Sequence, residues 1–212
     1  MWGYLHWQKP SEYKTHELAE VKRYSTNEGY VPANAVLRQT KGDLSLLDDT
    51  NYKVVDYTGK EILPNNSTMK NRIAKLDKAF DFAKKMPSWA TFTRGTDQLE
   101  FSELGITLGS SDADMLDLKG KKYTNHGYTS MSHGDVPAMS DTNVHIVFTV
   151  RPGTRAIHMA GNGAYGDAIA TLTSENEMLL DRGAKFRITK VTKTNKGYNM
   201  ATRWDFEVEV IG

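Results

Sequence analysis

The clearest strand pattern in the chain is the sequence WDFEVEV at residues 204–210. Its apolar residues alternate with acidic ones, and a period of two places all of the apolar side chains on one face of a β-strand. Residues 144–150 (VHIVFTV) show a similar alternation, and residues 90–94 and 186–191 contain shorter β-like runs. The second half of the chain is therefore predicted to form a sheet with a buried face.

Residues 67–86, in contrast, have the periodicity of a helix, because their apolar side chains recur at intervals of three and four. Ser67 or Thr68 supplies a polar N-cap, and Pro87 is expected to stop the helix. This segment is the strongest helix prediction in the chain.

The segments before this helix are less regular. Residues 11–38 predict two short helices that are broken near residues 27–29. Residues 39–66 predict an irregular surface connection with one short strand at 52–55. Helices followed by strands, without regular βαβ alternation, indicate an α+β fold with a mainly antiparallel sheet.

Length and composition limit the class of protein. The 212 residues predict a single domain, with a mainly helical part at residues 1–86 and a mainly β core at residues 87–212. A formal charge of +1 gives no reason to expect nucleic acid or a membrane as the main partner. The absence of cysteine excludes disulfides, cysteine-based metal sites and a thiol nucleophile. No signal peptide or membrane-spanning run is predicted.

Two common ligand signals are weak in this chain. Residues 161–166 (GNGAYG) match G-x-G-x-x-G, but they lead towards the strand-like residues 175–180 and do not open a helix in a βαβ unit. A flexible loop is therefore the favoured interpretation. The six histidines have no i, i+4 pairing, so no metal site is predicted.

Glu175 and Glu177 form a more informative pair. Residues two apart on a strand project to the same side, so two carboxylates would face one cleft. Paired carboxylates serve glycosidic-bond chemistry, where one stabilises an oxocarbenium-like state and the other handles a proton. The same spacing also occurs on solvated strand edges, so the pair alone does not decide the function.

Two other segments are ambiguous when each is taken alone. Arg94 and Gly95 leave a predicted strand, where Arg94 is either an ordinary surface arginine or a guanidinium aimed at a phosphate, with Gly95 allowing a ligand close to the backbone. Residues 128–132 (YTSMS) form either a plain hydroxyl-rich strand edge or part of a site.

Taken in order, these segments resemble the motifs of the arginine–serine–glutamate (R-S-E) class of mono-ADP-ribosyltransferases. Those motifs are aromatic-x-Arg-Gly, aromatic-x-Ser-Thr-Ser and Glu-x-Glu followed by a strand and Arg-Gly; the chain has FTRG at 92–95, YTSMS at 128–132 and ENEMLLDRG at 175–183. Flanking residues extend the resemblance over about residues 11–210. The resemblance is strongest to binary-toxin enzymes such as iota toxin and vegetative insecticidal protein, and to phage Alt-type enzymes.

The resemblance implies the ADP-ribosyltransferase fold, with N-terminal helices followed by a split, mainly antiparallel β core. It also implies NAD as the substrate, without a metal. Arg94 would hold the pyrophosphate, with the Gly95 backbone near the nicotinamide amide. Ser130 would hold Glu177, which bonds the nicotinamide ribose 2′-OH as positive charge builds on the anomeric carbon. Glu175 would orient and polarise the acceptor.

The acceptor and the remaining contacts follow from the same resemblance. In this class Glu at the position of Glu175 goes with arginine targets, whereas Gln goes with asparagine and some others. Tyr30 and Asn34 match positions that touch the cofactor. The segment 161–174 corresponds to the mobile target-recognition (ARTT) loop, whose glycines would serve closure.

Two departures from the family pattern concern the serine motif and its surroundings. Met131 replaces the usual Thr between the two serines, which is tolerable because the first Ser carries the orienting role. Toxin relatives often carry a second phosphate-holding Arg after this motif, but residues 132–150 contain none. His133 is a partial substitute, although an unperturbed His is mostly uncharged at neutral pH.

The sequence therefore predicts an NAD-dependent transferase that moves ADP-ribose to an arginine of a target protein and releases nicotinamide. It would be a toxin or phage effector, acting in the cytoplasm of a host or target cell and delivered by a virion in the phage case. The alternatives are an NAD glycohydrolase and a catalytically idle virion module. Retention of Arg94, Ser130, Glu175 and Glu177 argues against idleness.

Overall fold

The computed structural model of the protein describes residues 13–55, 60–61, 66–134, 139–159, 177–195 and 202–212, without the side chains of residues 66 and 195. The chain forms two compact units, and each combines three stretches of sequence. The helical unit lies within residues 1–84, 126–129 and 155–183, and the sheet unit within residues 85–125, 130–154 and 184–212. The prediction of a single catalytic domain stays a prediction.

Three helices make up most of the helical unit. They are α1 (Thr15–Tyr24), α2 (Asn27–Gln39) and α3 (Asn66–Asp81). The predicted pair of short helices is confirmed, with the break just before α2. A Cβ atom on Gly29 would lie 1.9 Å from the carbonyl oxygen of Arg23, so only glycine allows α2 to begin this close to the end of α1.

The helix predicted at 67–86 is confirmed, but its boundaries differ. It begins at Asn66, so the predicted caps Ser67 and Thr68 lie inside its first turn, and it ends at Asp81. The next residues form the short strand β1 (Lys84–Lys85). Ala83 and Met86 are buried beyond the end of α3, so apolar periodicity continues past the helix and does not mark its C-terminal boundary.

The described residues between α2 and α3, 40–55 and 60–61, have little regular structure, as predicted. It contains a 3₁₀ helix at Leu44–Asp48. The strand predicted at 52–55 is reduced to an isolated bridge between Val55 and Glu61. In the part of the chain that the structure describes, no helix has both the length and the apolarity to cross a membrane.

The helical unit also contains an antiparallel strand pair, β6 (Arg155–His158) and β7 (Glu177–Leu180). Ile157 pairs with Leu179, and both side chains are buried in the core that α1, α2 and α3 share. This core therefore fixes the position of β7 in the unit.

The sheet unit contains the remaining strands, in the order β4-β2-β5-β9-β8-β3. Their bounds are β2 (Ala90–Thr96), β3 (Lys122–Asn125), β4 (Thr129–Ser132), β5 (Val144–Val150), β8 (Ala184–Asn195) and β9 (Thr202–Val210). The neighbours pair antiparallel, except that β5 and β9 are parallel. A 3₁₀ helix at Gln98–Leu104 and the short helix α4 (Asp112–Leu116) complete the unit.

The alternating patterns of the sequence become one-sided burial in this sheet. Every apolar residue of WDFEVEV is buried, and so are the alternate residues of β5 that begin with Val144. The ring of Phe206 lies 4.4 Å from that of Phe101, which comes from the 3₁₀ helix. The predicted α+β class with a mainly antiparallel sheet is therefore confirmed.

Candidate functional site

Arg94 is held by two contacts inside the sheet unit. It lies on β2, opposite Ile146 of β5. Its Nη1 donates a hydrogen bond to the carbonyl oxygen of Ser130, at 2.7 Å. Its Nε lies 3.5 Å from Oε2 of Glu100, and the Arg94 side chain is 18% exposed. The guanidinium is thus largely buried but still reaches the surface.

Ser130 lies beside Arg94 because β4 is the neighbour of β2. Thr93 of β2 pairs with Ser132 of β4, and the Thr93 hydroxyl donates to the carbonyl oxygen of Gly134 at 3.0 Å. The structure therefore brings together two of the predicted site residues, Arg94 and Ser130, through the main chain of Ser130. The orienting role of the Ser130 side chain stays a prediction.

Gly95 is required by the chain itself. A Cβ atom at this position would lie 1.7 Å from the carbonyl oxygen of Met139 and 2.7 Å from the hydroxyl of Thr142. No side chain fits in that space, and both clashing atoms belong to the segment that leads into β5. This close approach accounts for glycine after Arg94, in addition to the predicted contact with nicotinamide.

Glu177 is the first residue of β7, as the sequence predicted, and it is buried. Its carbonyl oxygen accepts a hydrogen bond from the Met159 amide at 2.8 Å, next to the pairing of β7 with β6. The start of the strand is therefore fixed by main-chain contacts. Glu175 and the predicted target-recognition loop at 161–174 lie outside the described residues.

Asn34 and Tyr30 both lie on α2 but in different surroundings. Asn34 is buried; its Nδ2 donates to the hydroxyl of Tyr24 at 2.8 Å, and its Oδ1 accepts from the amide of Tyr128 at 3.0 Å. These bonds tie α1 and α2 to the segment that precedes β4. Tyr30 is partly exposed, with its ring 6.3 Å from that of Tyr24. The predicted cofactor contacts of both residues stay predictions.

Tyr128, the aromatic residue of the second motif, is fully buried in the helical unit. Its ring stacks on Phe80 at 5.7 Å, and its hydroxyl donates to Oδ1 of Asp77 at 2.6 Å. Burial is the main reason why the pKa of the Tyr128 hydroxyl is raised, and the Asp77 charge and hydrogen bond raise it further. The hydroxyl therefore remains a neutral donor to Asp77.

Asp77 also binds Arg182, which follows β7. Nε of Arg182 donates to Oδ1 of Asp77 at 2.8 Å and Nη2 to Oδ2 at 3.0 Å, which is bidentate pairing. Nη1 of Arg182 donates to the carbonyl oxygen of Gly42 at 3.3 Å. The hydrogen bonds to Asp77 raise the pKa of Arg182. Helix α3 thereby anchors both Tyr128 and the end of β7.

Asp181, between β7 and Arg182, is a carboxyl in this network whose pKa is strongly raised. Burial raises its pKa to about 6, and the neighbouring Asp77 raises it too, whereas the Arg182 amide and the charges of Arg182 and Arg155 lower it. Its Oδ1 accepts a hydrogen bond from the Arg182 amide at 2.8 Å. This carboxyl titrates close to neutrality.

Sequence reasoning missed Glu100 and the contacts of Asp77. Glu100 follows β2 in a segment without hydrophobic periodicity, so nothing in the sequence indicates that it is buried beside Arg94. Asp77 belongs to the polar face of a predicted helix, and only the fold shows that its carboxylate faces Tyr128 and Arg182. One indication in the sequence was the place of Asp77, a polar residue next to the buried stripe of α3.

His133, the partial substitute for a second arginine, has ordinary surroundings. His133 packs edge-on against Phe92, with ring centroids 6.0 Å apart. Within the described ranges, no group of three His, Asp or Glu side chains is arranged to hold a metal ion.

Comparison with known proteins gives matches by sequence profile and by fold. The profile of the ADP-ribosyltransferase exoenzyme family matches residues 2–204. No curated protein matches the chain by sequence. Among solved structures, the fold is similar to Plx2a, an ADP-ribosyltransferase toxin from Paenibacillus larvae, with a TM-score of 0.70 and 20% identity over 95% of this chain and 89% of that one.

Two C3-type structures are also similar. The C3 exoenzyme of Clostridium limosum has a TM-score of 0.68 and 19% identity, covering 94% of this chain and 86% of its own. C3stau2 from S. aureus, whose structure was determined with NAD, has a TM-score of 0.68 and 15% identity, covering 95% and 89%. At these identities the structures establish a shared fold. Because the family profile matches nearly the whole chain, this protein belongs to the ADP-ribosyltransferase exoenzyme family and is an NAD-dependent mono-ADP-ribosyltransferase.

Proposed function

We propose that this enzyme transfers ADP-ribose from NAD to an arginine side chain of a target protein inside another cell. The observation that carries the proposal is the pair Glu175 and Glu177, of which the second begins β7 as a buried residue. Toxins among its structural relatives support the action on a target cell. Injection by a phage is the other route of delivery that fits the sequence.

Arg94 is the proposed ligand of the NAD pyrophosphate. A guanidinium has five N–H donors, and the described contacts of Arg94 use one of them in a hydrogen bond. Its terminal nitrogens therefore have donors left for phosphate oxygens, in the fork geometry that suits them. The ion contact with Glu100 does not consume those donors.

Glu177 is the proposed group that stabilises the transition state. As the bond between C1′ of the ribose and the nicotinamide nitrogen breaks, nicotinamide leaves with the bonding electron pair and positive charge develops on the ribose. A carboxylate bonded to the 2′-OH interacts more strongly with that charge than with the ground state, so it lowers the barrier. Ser130 is the proposed residue that holds Glu177 in place.

Glu175 is the proposed partner of the acceptor. Arginine is protonated at neutral pH, so a carboxylate attracts it and accepts its proton as a guanidinium nitrogen bonds to C1′. The products are ADP-ribosyl-arginine, nicotinamide and one proton, which balances the reaction.

The test uses NAD labelled in its adenylate part, the purified chain and a cell lysate, with Glu177→Gln as the inactive control. We expect label on a protein band, and mass spectrometry should place it on arginine. Glu177→Gln should remove both protein labelling and nicotinamide release, because the charge opposite the developing cation is lost. A Glu177→Gln enzyme with most of its activity would contradict the proposed role.

Glu175→Ala separates transfer from hydrolysis. Transfer to a small guanidino acceptor such as agmatine should be lost, while nicotinamide release to water should remain measurable, since Glu175 serves the acceptor. Equal loss of both reactions would count against this assignment. Free ADP-ribose as the main product of the unaltered enzyme, even with lysate present, would favour the NAD glycohydrolase alternative.

A further inference from the structure

A buried carboxylate lies against Arg94 within the sheet unit. Glu100 belongs to the 3₁₀ helix Gln98–Leu104, which follows β2 almost directly. Its side chain is 1% exposed, and Oε2 lies 3.5 Å from Nε of Arg94. Its other oxygen, Oε1, accepts a hydrogen bond from Nδ2 of Asn125 at 3.3 Å. Glu100 thus joins the end of β3 to the guanidinium on β2.

The helix that carries Glu100 is fixed at its start. Asp97 caps it by accepting a hydrogen bond from the amide of Leu99 at 2.8 Å. Phe101, the next residue after Glu100, is fully buried against Phe206. The segment has a kink at Phe101, so the position of Glu100 is defined by the Asp97 cap before it and by the buried Phe101 ring after it.

The charge pair is incomplete in hydrogen bonds. Among the residues that the structure describes, neither Nε of Arg94 nor Oε2 of Glu100 has a hydrogen-bond partner, although both atoms are buried. A buried carboxylate is costly unless an opposite charge compensates it, and Arg94 is the cation in contact with it. The two side chains consequently depend on each other for their positions.

Two anchors define the orientation of the Arg94 guanidinium. Glu100 lies beside Nε, and the carbonyl oxygen of Ser130 accepts from Nη1. One hydrogen bond and one charge contact on different nitrogens restrict the orientation of the guanidinium, and no described hydrogen bond uses Nη2 or the remaining Nη1 hydrogen. A pyrophosphate needs donors in a fixed plane for bidentate binding.

We propose that Glu100 is a positioning residue, which holds the Arg94 guanidinium in the plane that binds the pyrophosphate of NAD. This inference depends on the proposed role of Arg94 in NAD binding. Glu100 acts through Arg94 and has no contact with the reacting atoms. An internal charge pair that only stabilises the sheet unit is the competing explanation.

The test compares Glu100→Gln with Glu103→Gln, an exposed position in the same 3₁₀ helix. Gln keeps the size of the side chain and an oxygen for Asn125, but it removes the charge beside Arg94. We expect Glu100→Gln to raise both the KM and the calorimetric Kd for NAD about tenfold, with kcat within about twofold. Glu103→Gln should leave all three values unchanged. Glu100→Asp, which keeps the charge, should recover part of the affinity.

A double-mutant cycle decides between positioning and general stability. In an Arg94→Ala background, Glu100→Gln should have no further effect on the Kd for NAD, because the residue it positions is gone. Thermal unfolding of each variant shows whether the protein is folded. An unchanged or tighter Kd in Glu100→Gln, or an equal further loss in the Arg94→Ala background, would overturn the positioning role.

The outcomes also separate this inference from the proposed function. If the unaltered protein binds NAD and Glu100→Gln does so equally well, only the inference fails. If the unaltered protein does not bind NAD, the proposed NAD site and the inference fail together. If binding changes as expected but no arginine is modified, the acceptor assignment fails alone.

Discussion

The two units each contain an arginine that precedes a glycine and pairs with an acidic side chain, but the two pairs differ. In the helical unit, Arg182 makes two hydrogen bonds to Asp77. In the sheet unit, Nε of Arg94 lies 3.5 Å from Glu100 without a hydrogen bond between them. The complete pair is also the more exposed one, since the side chains of Arg182 and Arg94 are 28% and 18% exposed.

This difference separates a structural arginine from one that is available to a ligand. The donors of Arg182 are directed at Asp77 and Gly42, so its charge is used inside the protein. Arg94 is anchored on Ser130 and Glu100 but keeps donors that no described contact uses. Ligand-binding groups are commonly held by their surroundings and left incomplete until the ligand binds.

The two glycines show the same division. Gly183 has a φ of +74°, a turn conformation that disfavours other residues, and a Cβ atom there would meet nothing within 4 Å. Gly95 lies in a strand, and a Cβ atom there would meet the carbonyl oxygen of Met139. One Arg-Gly pair therefore ends β7 with a turn, while the other packs β2 against its neighbouring segment.

The largest expected effect is the loss of activity in Arg94→Lys. Lysine keeps the charge but not the planar fork, and the loss of a bidentate charged contact costs about 3 kcal/mol, or about 100-fold in kcat/KM. Arg182→Lys is the matched control, and its kcat/KM per folded molecule should stay within about threefold of the unaltered enzyme. Steady-state kinetics of NAD cleavage measures both. Similar losses in the two variants would remove the distinction between the pairs.

The next largest effect is a loss of stability, and it is expected from a substitution in the helical unit. Asp77→Asn removes the charge opposite Arg182, and because Asn has only one acceptor oxygen, its NH2 group would face a donor on the other side. Because the pair is partly exposed, we expect a loss of about 2 kcal/mol in the free energy of unfolding, below the range for fully buried pairs. Urea denaturation measures this loss. A change below about 0.5 kcal/mol would show that the complete pair is not structural.

The same comparison shows what could be predicted from the sequence. Periodicity located α3 and the strands at 144–150 and 204–210, because one-sided burial leaves a repeating apolar pattern. The C-terminal end of α3 was wrong by several residues, because buried apolar residues continue at Ala83 and Met86 after the helix has ended. The family and the fold were predicted from three motifs taken in order, because each motif alone is ambiguous.

The contacts that hold the site could not be predicted in this way. Tyr128 was recognised as a motif residue, but its bond to Asp77 joins residues 51 positions apart. Glu100 lies beside Arg94 because it belongs to a 3₁₀ helix, and the sequence of that helix has no hydrophobic periodicity. Such contacts depend on the packing of whole elements, which short sequence patterns do not encode.

Tyr128→Phe tests a single bond of the complete network. The change removes the hydroxyl that donates to Asp77 but keeps the ring that stacks on Phe80. We expect a loss of about 1 kcal/mol in the free energy of unfolding, the usual contribution of one hydrogen bond. Tyr30→Phe, at a more exposed position of α2, should change it by less than about 0.5 kcal/mol in the same urea titration. Equal effects would mean that the Tyr128 hydroxyl adds nothing.

An effect no larger than that of Tyr128→Phe is expected at Asp181, which tests whether the charge of Arg182 is already used by Asp77. The folded-state pKa of Asp181, about 6, lies above its ordinary value of 3.8, mainly because of burial. A carboxyl whose pKa is raised by folding is disfavoured in its charged form, so the cost is absent at acidic pH and grows as the pH rises towards 6. The described groups that face it are Asp77, Arg182 and Arg155, and the two arginines do not cancel this cost.

Asp181→Asn should therefore stabilise the protein at about pH 7.5 and have little effect at about pH 3, which lies below both pKa values, so that the carboxyl is mostly neutral in the folded and the unfolded state. Because the side chain is partly exposed, we expect a gain of only about 1 kcal/mol, discounted from the full shift. Asn keeps the oxygen that accepts from the Arg182 amide. Urea denaturation at both pH values measures the gain, with the exposed Asp117→Asn as the control. A loss at neutral pH would mean that Arg182 still compensates Asp181, and the pairing with Asp77 would then be less complete than its hydrogen bonds indicate. A gain that does not depend on pH would mean that the charge of Asp181 is not its cause.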